Sequence, residues 1–220
     1  MTAEGAAGPA EPSPHPQDYV SPPFLVAAVG ASAGGLEAFS ALLGSMPGTS
    51  PLAVVLVQHL SRTHDSQLPE ILATRTALQV LTAADGMRIE SGHVYVISPD
   101  THMTVIDGHL RVRPRPKGYF SVQVDALFRS VAEFYGDKAV GVVLSGALYD
   151  GAEGFRAIRA AGGVTFAQLP EEAQTESMPR AAIATGDVDM VLPANEIGEQ
   201  LLLLAAQPRF KRAHPSQVGA

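Results

Sequence analysis

Val26-Ala27-Ala28-Val29-Gly30-Ala31-Ser32-Ala33-Gly34-Gly35-Leu36-Glu37 is the stretch that decides the fold of this 220-residue chain. An apolar strand leads into a tight turn that carries Ser32, and apolar residues continue at helical spacing to Leu43. Gly30, Ser32 and Gly34 fit G-x-S-x-G, a pattern in which small neighbours let a sharp strand-to-helix turn expose a serine hydroxyl. The stretch therefore predicts a strand buried on both faces, with Ser32 as a candidate nucleophile at its carboxyl end.

A glycine-rich turn of this kind also occurs where a doubly wound sheet binds a phosphate or a dinucleotide without any chemistry. A dinucleotide site requires G-x-G-x-x-G and an acidic residue about 20 positions further on. Here Ser32 stands at the middle glycine position, and the second apolar run, Leu52 to Val57, ends in Gln58-His59. No Gly-Lys-Ser/Thr follows the turn, which excludes a P-loop. The sequence favours catalysis over nucleotide binding.

Strands and helices are predicted to alternate through most of the chain. Apolar runs indicate strands at 24–29, 52–57, 139–144, 164–167 and 190–192, and helical spacing indicates helices at 36–43, 65–76, 124–135, 151–161, 179–184 and 196–206. Short runs around 93–113, with Asp107-Gly108 as a tight turn, indicate an antiparallel hairpin region. The predicted fold class is α/β: a doubly wound, mostly parallel sheet flanked by helices, with its site at the carboxyl ends of the strands.

The expectation that the site lies at the carboxyl ends of the strands selects candidate partners for Ser32. His59 follows a buried strand directly, whereas the other histidines fall in the terminal segments, in the hairpin region or at the start of a surface helix. Asp150 follows the strand at 139–144 and precedes Gly151. The competing interpretations are a capping or loop histidine and a helix N-cap aspartate. Asp125 and Asp100 are interpreted as structural. Serine, histidine and aspartate from separate βα turns form the constellation that acyl transfer requires.

Composition narrows the class of protein. The hydrophobic content of 46% is ample for one core, so we predict one domain at 24–206 between a disordered Pro/Ala-rich tail at 1–23 and a C-terminal tail at 207–220. A formal net charge of −7 disfavours nucleic acid as a partner. The chain contains no cysteine, no export signal and no 18-residue apolar run, which predicts a cytoplasmic protein that does not insert into membranes.

Several motifs stand in an order that resembles one known family. They are Gly30-Ala31-Ser32-Ala33-Gly34-Gly35, Val57-Gln58-His59, Asp85-Gly86 with Gly92-His93-Val94-Tyr95, Val140 to Gly146 leading to Asp150-Gly151, and Met178-Pro179-Arg180. Together they closely resemble the catalytic domain of CheB, the chemotaxis protein-glutamate methylesterase, from about Phe24 to Leu204. The order Ser, His, Asp differs from that of the α/β-hydrolases, so a lipase-like enzyme is not expected.

The resemblance implies a methylesterase with Ser32, His59 and Asp150 as its catalytic triad. It also implies an oxyanion site supported by the backbone at Ala33, Gly34 and Ala147, where relatives often have threonine in place of Ala33 and methionine in place of Ala147. The implied substrates are glutamate γ-methyl esters on the cytoplasmic helices of chemoreceptors, and family members also deamidate receptor glutamines. No metal or organic cofactor is implied.

Other chemosensory signalling proteins are further implied partners. Since residues 1–23 are too few for the receiver domain that usual CheB proteins carry, we expect a stand-alone catalytic domain. Two other functions stay open at this point. One is a diverged scaffold in a sensory complex, and the other is an esterase or deamidase that acts outside chemotaxis.

Overall fold

The computed structural model describes residues 24–59, 67–115 and 122–207. Its strands are β1 (Leu25–Ala31), β2 (Leu52–Gln58), β3 (Gln79–Thr82), β4 (His93–Val96), β5 (Thr101–Ile106), β6 (His109–Pro114), β7 (Ala139–Val143), β8 (Val164–Gln168) and β9 (Met190–Leu192). Its α-helices are α1 (Gly35–Gly44), α2 (Leu68–Ala73), α3 (Gln123–Tyr135), α4 (Ala152–Ala160), α5 (Ser177–Ala184) and α6 (Ala194–Ala205). Two short 3₁₀ turns lie at Gly136–Lys138 and Pro170–Glu172.

Seven parallel strands form the central sheet, in the order β3-β4-β2-β1-β7-β8-β9. β1 lies in the middle because it is apolar along its whole length and is buried on both faces. It pairs with β2 on one side and with β7 on the other. The turns that follow these three strands therefore meet at one edge of the sheet.

Each face of the sheet packs against its own set of helices. Val26 and Ala28 of β1 join a core with Phe128 of α3 and Phe155 of α4. Those two rings stack with centroids 5.5 Å apart. The alternate residue Ala27 joins the opposite core, which α1, α2 and α6 cover. The doubly wound, mostly parallel fold predicted from the sequence is confirmed.

The antiparallel hairpin is confirmed but is shorter than predicted. β5 and β6 pair from Thr101 with Pro114 to Ile106 with His109, and β5 packs on α3. The first part of the region predicted as a hairpin, His93–Val96, instead forms β4, which pairs in parallel with both β2 and β3. The reason is burial: Val94 to Val96 are completely or almost completely buried, as an inner parallel strand requires.

Most other predicted elements occur within a few residues of their predicted positions. The predicted tails, 1–23 and all but the first residue of 207–220, lie outside the described residues, as do the first two positions of the helix predicted at 65–76. Of the helices in the described ranges, none is both long and apolar enough to cross a bilayer.

Candidate active site

The parallel pairing brings Ser32 and His59 to the same edge of the sheet. Ala31 pairs with Gln58 at the ends of β1 and β2, and the His59 N–H donates to the Ala31 carbonyl oxygen over 3.1 Å. On the other side of β1, the Ser32 N–H donates to the Ser145 carbonyl oxygen over 3.0 Å, just beyond β7. Two of the residues predicted from strand ends are thus neighbours, and the loop after β7 adjoins both.

His59 is hydrogen-bonded to the third predicted residue. Its Nε2 lies 2.7 Å from Asp150 Oδ2, and the Asp150 side chain is fully buried while that of His59 is 15% exposed. A carboxylate buried against an imidazole fixes the orientation of the ring and stabilises the imidazolium cation. With Nε2 bound to the carboxylate, Nδ1 is the ring nitrogen left to exchange a proton with a substrate or a nucleophile.

Asp150 is held by the start of α3 and not by the helix that follows it. Its Oδ2 accepts the Val124 N–H over 2.9 Å and its Oδ1 accepts the Asp125 N–H over 3.0 Å. The N-cap residue of α4 is Gly151, which has no side chain to make a cap. The alternative interpretation of Asp150 as the cap of its own following helix is therefore wrong, and its carboxylate is directed to α3 and His59.

Asp125 takes the capping role at α4. Its Oδ1 accepts the N–H groups of Gly151, over 3.1 Å, and Gly154, over 2.6 Å. Burial raises the pKa of the Asp125 carboxyl group, and the nearby negative charge of Asp150 acts in the same direction. The structural role expected for Asp125 holds, but the residue also lies next to the aspartate of the site. Sequence reasoning missed this relationship because the capped helix begins 26 positions away.

Two glycines make the turn around Ser32 possible. A Cβ atom at Gly30 would lie 2.3 Å from Val124 Cγ1, so only glycine fits where β1 passes α3. Gly34 has a φ of 78°, in the left-handed region, and a Cβ there would lie 2.6 Å from the Ser145 hydroxyl oxygen. The first and last residues of the G-x-S-x-G pattern are therefore required by packing and by backbone conformation.

Ser145 ties three segments of the site together. Its hydroxyl group donates to the Ala33 carbonyl oxygen over 2.7 Å and accepts the Thr175 N–H over 3.0 Å. Its own N–H donates to Gln168 Oε1 over 2.8 Å. Ser145 was not among the predicted site residues, although its position directly after a buried strand is the signal that selected His59.

The backbone around Ser32 leaves N–H groups for a ligand. Among the hydrogen bonds between described residues, the N–H groups of Ala33, Gly34 and Ala147 have no acceptor. Ala33 is exposed and Ala147 is half-buried, so water or a substrate oxygen can reach them. The Ser32 N–H is already bound to Ser145. These are the three backbone positions predicted from the sequence to support an oxyanion.

The candidate site groups a serine, a histidine and an aspartate, residue types that can supply a nucleophile, a base and a carboxylate partner. Within the described ranges, no three His, Asp or Glu side chains come together in a way that would hold a metal ion. Between the described residues, no hydrogen bond from the Ser32 hydroxyl is found. Contacts between a catalytic serine and its base are often long in the free enzyme and shorten when substrate binds.

A parallel α/β sheet that presents a serine turn, a histidine and a buried aspartate at adjoining strand ends has the architecture of a serine hydrolase. A family model described as CheB methylesterase matches residues 27–201. The chain belongs to the CheB methylesterase family.

Individual relatives agree with the family match. The chain is 38% identical over 192 residues to protein-glutamate methylesterase/protein-glutamine glutaminase 1 of Myxococcus xanthus, which covers 85% of this chain and 56% of that protein. It is also 38% identical to the protein of the same name in Xanthomonas euvesicatoria, over 83% of this chain and 52% of that protein. The chain thus spans about half the length of these curated relatives.

The fold matches a solved structure of the same family. The crystal structure of the Thermotoga maritima CheB methylesterase catalytic domain superposes with a TM-score of 0.76 at 28% sequence identity. The match covers 82% of this chain and 98% of that domain. The described sheet and helices therefore correspond to nearly the whole of that solved domain.

Proposed function

We propose that this protein is a serine hydrolase that removes γ-methyl esters from glutamate side chains of chemoreceptors. The observation that carries the proposal is the 2.7 Å hydrogen bond between His59 Nε2 and the buried Asp150, at a strand end next to Ser32. Family membership and relatives named protein-glutamate methylesterase support the ester as the bond that is cleaved.

The first half of the reaction forms an acyl-enzyme. His59 Nδ1 takes the proton of the Ser32 hydroxyl as Ser32 Oγ attacks the ester carbonyl carbon, and Asp150 stabilises the imidazolium cation. The N–H groups of Ala33, Gly34 and Ala147 surround the developing oxyanion. The imidazolium then gives its proton to the leaving oxygen, methanol departs, and the glutamyl group remains on Ser32.

Water completes the cycle. His59 removes a proton from a water molecule, which attacks the glutamyl ester on Ser32, and the proton returns to Ser32 as the free glutamate leaves. The same steps with an amide in place of the ester release ammonia and convert glutamine to glutamate. The relatives' names include protein-glutamine glutaminase, and we propose deamidation of receptor glutamines as a second activity of the same site.

The implied partners are the methylated helices of the receptor and the signalling proteins bound to it. A chain without cysteine suits the reducing cytoplasm, where we propose that it works.

The test is turnover of a methylated receptor cytoplasmic fragment by the full chain, followed as methanol release. The parent protein should release methanol and react covalently with a serine-directed phosphonate, whereas Ser32→Ala should do neither and keep its circular dichroism spectrum. A parent protein that binds the receptor fragment but neither hydrolyses it nor reacts with the phosphonate would be a scaffold. A parent that reacts with the phosphonate and cleaves only other esters would be an esterase outside chemotaxis.

A further inference from the structure

The loop between β7 and α4 carries two adjacent exposed apolar side chains. Leu148 is 56% exposed and Tyr149 is 61% exposed, which makes them the most exposed large apolar residues in the described part of the chain. A single exposed leucine is ordinary on a protein surface. An exposed pair inside the loop that also carries Asp150 is a feature that core packing does not explain.

The backbone at Leu148 gives a second, independent observation. Its φ is 70°, in the left-handed region, where a side chain is unfavourable. In the described ranges the other non-glycine residues with positive φ are Asp100 and Asp107, a residue type that tolerates this conformation. Glycine would relieve the strain at 148, so neither stability nor backbone preference accounts for leucine at this position.

Leu148 and Tyr149 stand in the chain between two residues that contact the candidate site. On the N-terminal side of the pair, a Cβ atom at Gly146 would be only 3.0 Å from Ser32 Cβ, so this part of the loop touches the serine. On the C-terminal side, Asp150 binds His59. Residues 147–149 are therefore flanked in the chain by contacts to Ser32 and to His59, which puts this loop beside the candidate site.

We propose that Leu148 and Tyr149 form a docking patch for the apolar face of the substrate helix that carries the methylated glutamate. This inference rests on the proposed function. A γ-methyl ester on a flexible side chain offers few contacts of its own, so selection of a protein substrate requires binding energy from groups outside the reacting bond. The required partner is an α-helix with an apolar side chain within about one turn of the ester.

The experiment compares two substrates for each variant. We measure kcat/KM for the parent and for three variants, Leu148→Gly, Leu148→Ala and Tyr149→Ala. Each protein is tested on a methylated receptor cytoplasmic fragment and on p-nitrophenyl acetate. The value for the receptor fragment is then divided by the value for p-nitrophenyl acetate. We expect the ratio of the receptor-fragment value to the p-nitrophenyl acetate value to fall about fivefold or more in each variant, because the patch contacts only the receptor fragment. The melting temperature of Leu148→Gly should be no lower than that of the parent, because the strain is relieved.

Leu203→Ala is the matched control. Leu203 is 55% exposed, but it lies near the end of α6, where the neighbouring Leu204 lines a cavity with Phe24 and Leu25 at the opposite edge of the sheet. The ratio of the two kcat/KM values for Leu203→Ala should equal that of the parent.

A ratio within about twofold of the parent in the Leu148 and Tyr149 variants would overturn the docking patch, whether both rates fall together or neither changes. A parent protein that cleaves p-nitrophenyl acetate but not the receptor fragment would overturn the proposed substrate and the patch together. A parent that cleaves neither ester would overturn the hydrolase function itself.

Discussion

Asp125 and Asp150 each accept the N–H groups at the start of the other's helix. Asp150, which precedes α4, binds the N–H groups of Val124 and Asp125 in the first turn of α3. Asp125, which lies in α3, binds the N–H groups of Gly151 and Gly154 at the start of α4. Because one of these two carboxylates also binds His59, the geometry of the site depends on how the two helices are anchored.

The two aspartates use their oxygens differently, which predicts the effect of asparagine at 125. Both N–H donors to Asp125 reach the same oxygen, Oδ1, so the single amide oxygen of asparagine can replace it. Asp125→Asn should retain at least half of the parent's kcat and should be no less stable than the parent at neutral pH. Asp125→Ala should lose about 1–2 kcal/mol of unfolding free energy, because two buried N–H groups lose their acceptor. Urea unfolding followed by circular dichroism checks both, and equal losses in the two variants would contradict the capping role.

Asp150→Asn, unlike Asp125→Asn, should lose both activity and stability. Asp150 uses Oδ1 for Asp125 and Oδ2 for Val124 and His59, so an amide nitrogen at either position faces an N–H donor. Asp150→Asn also removes the charge that stabilises the imidazolium cation. We expect kcat to fall by about 10³–10⁴-fold and stability to fall by about 1–3 kcal/mol. Steady-state hydrolysis measures the first effect, and a kcat within tenfold of the parent would exclude Asp150 as the carboxylate partner of His59.

The raised pKa of Asp125 predicts a pH dependence of stability. Burial makes the folded protein hold the Asp125 proton at a pH where the unfolded chain, with an ordinary pKa of about 3.9, has lost it. The folded state binds more protons in that window, so this group favours folding as the pH falls through it and opposes folding above it. Asp125→Asn should therefore gain stability relative to the parent at about pH 8, and the gain should shrink towards about pH 4. A stability difference between Asp125→Asn and the parent that is the same at both pH values would contradict the raised pKa of Asp125.

The close approach of Gly30 to Val124 predicts that substitutions at these two positions have coupled effects on stability. In Gly30→Ala the new Cβ meets Val124 Cγ1 and Cγ2 at 2.3 and 2.6 Å, and we expect a loss of about 1–3 kcal/mol or more. Activity should fall too, since the Val124 N–H binds Asp150. Adding Val124→Ala removes both methyl groups and should recover about 1 kcal/mol in a double-mutant cycle.

Gly44→Ala is the control for this pair. The nearest atom to a Cβ at Gly44 is the Arg75 carbonyl oxygen at 3.8 Å, an ordinary contact. This substitution should leave stability and turnover unchanged. Additive effects of Gly30→Ala and Val124→Ala would show that the two residues are not in contact.

The sequence was sufficient to identify the central strands, and from their ends it predicted three residues of the candidate site. β1, β2 and β7 are continuous apolar runs, and continuous runs of this length are typical of buried parallel strands. Once their parallel arrangement is assumed, the residues that follow them must meet at one edge. Ser32 and His59 were predicted in this way, and the structure brings His59 within hydrogen-bonding distance of Asp150.

Other features depend on contacts that no local pattern encodes. β3 is four residues long and half-exposed, so its apolar content is too weak to distinguish it from a loop. His93–Val96 lies next to a strong hairpin signal in sequence, but its partners are β2 and β3. The role of Asp125 was hidden for the same reason, since a carboxylate that caps a distant helix leaves no trace in the residues around it.

The position of β1 between β2 and β7 also sets the order in which the site can be assembled. β1 and β2 are close in the chain and can pair early, whereas pairing of Val26 with Ala139 requires closure of a much longer loop, a slow and entropically costly step. Until that step occurs, Ser32 and His59 can be neighbours without a carboxylate to orient the imidazole. A chain in which β1 and β7 have not yet paired therefore lacks the proposed arrangement of Ser32, His59 and Asp150, and the appearance of hydrolytic activity during refolding would report that both halves of the sheet have joined.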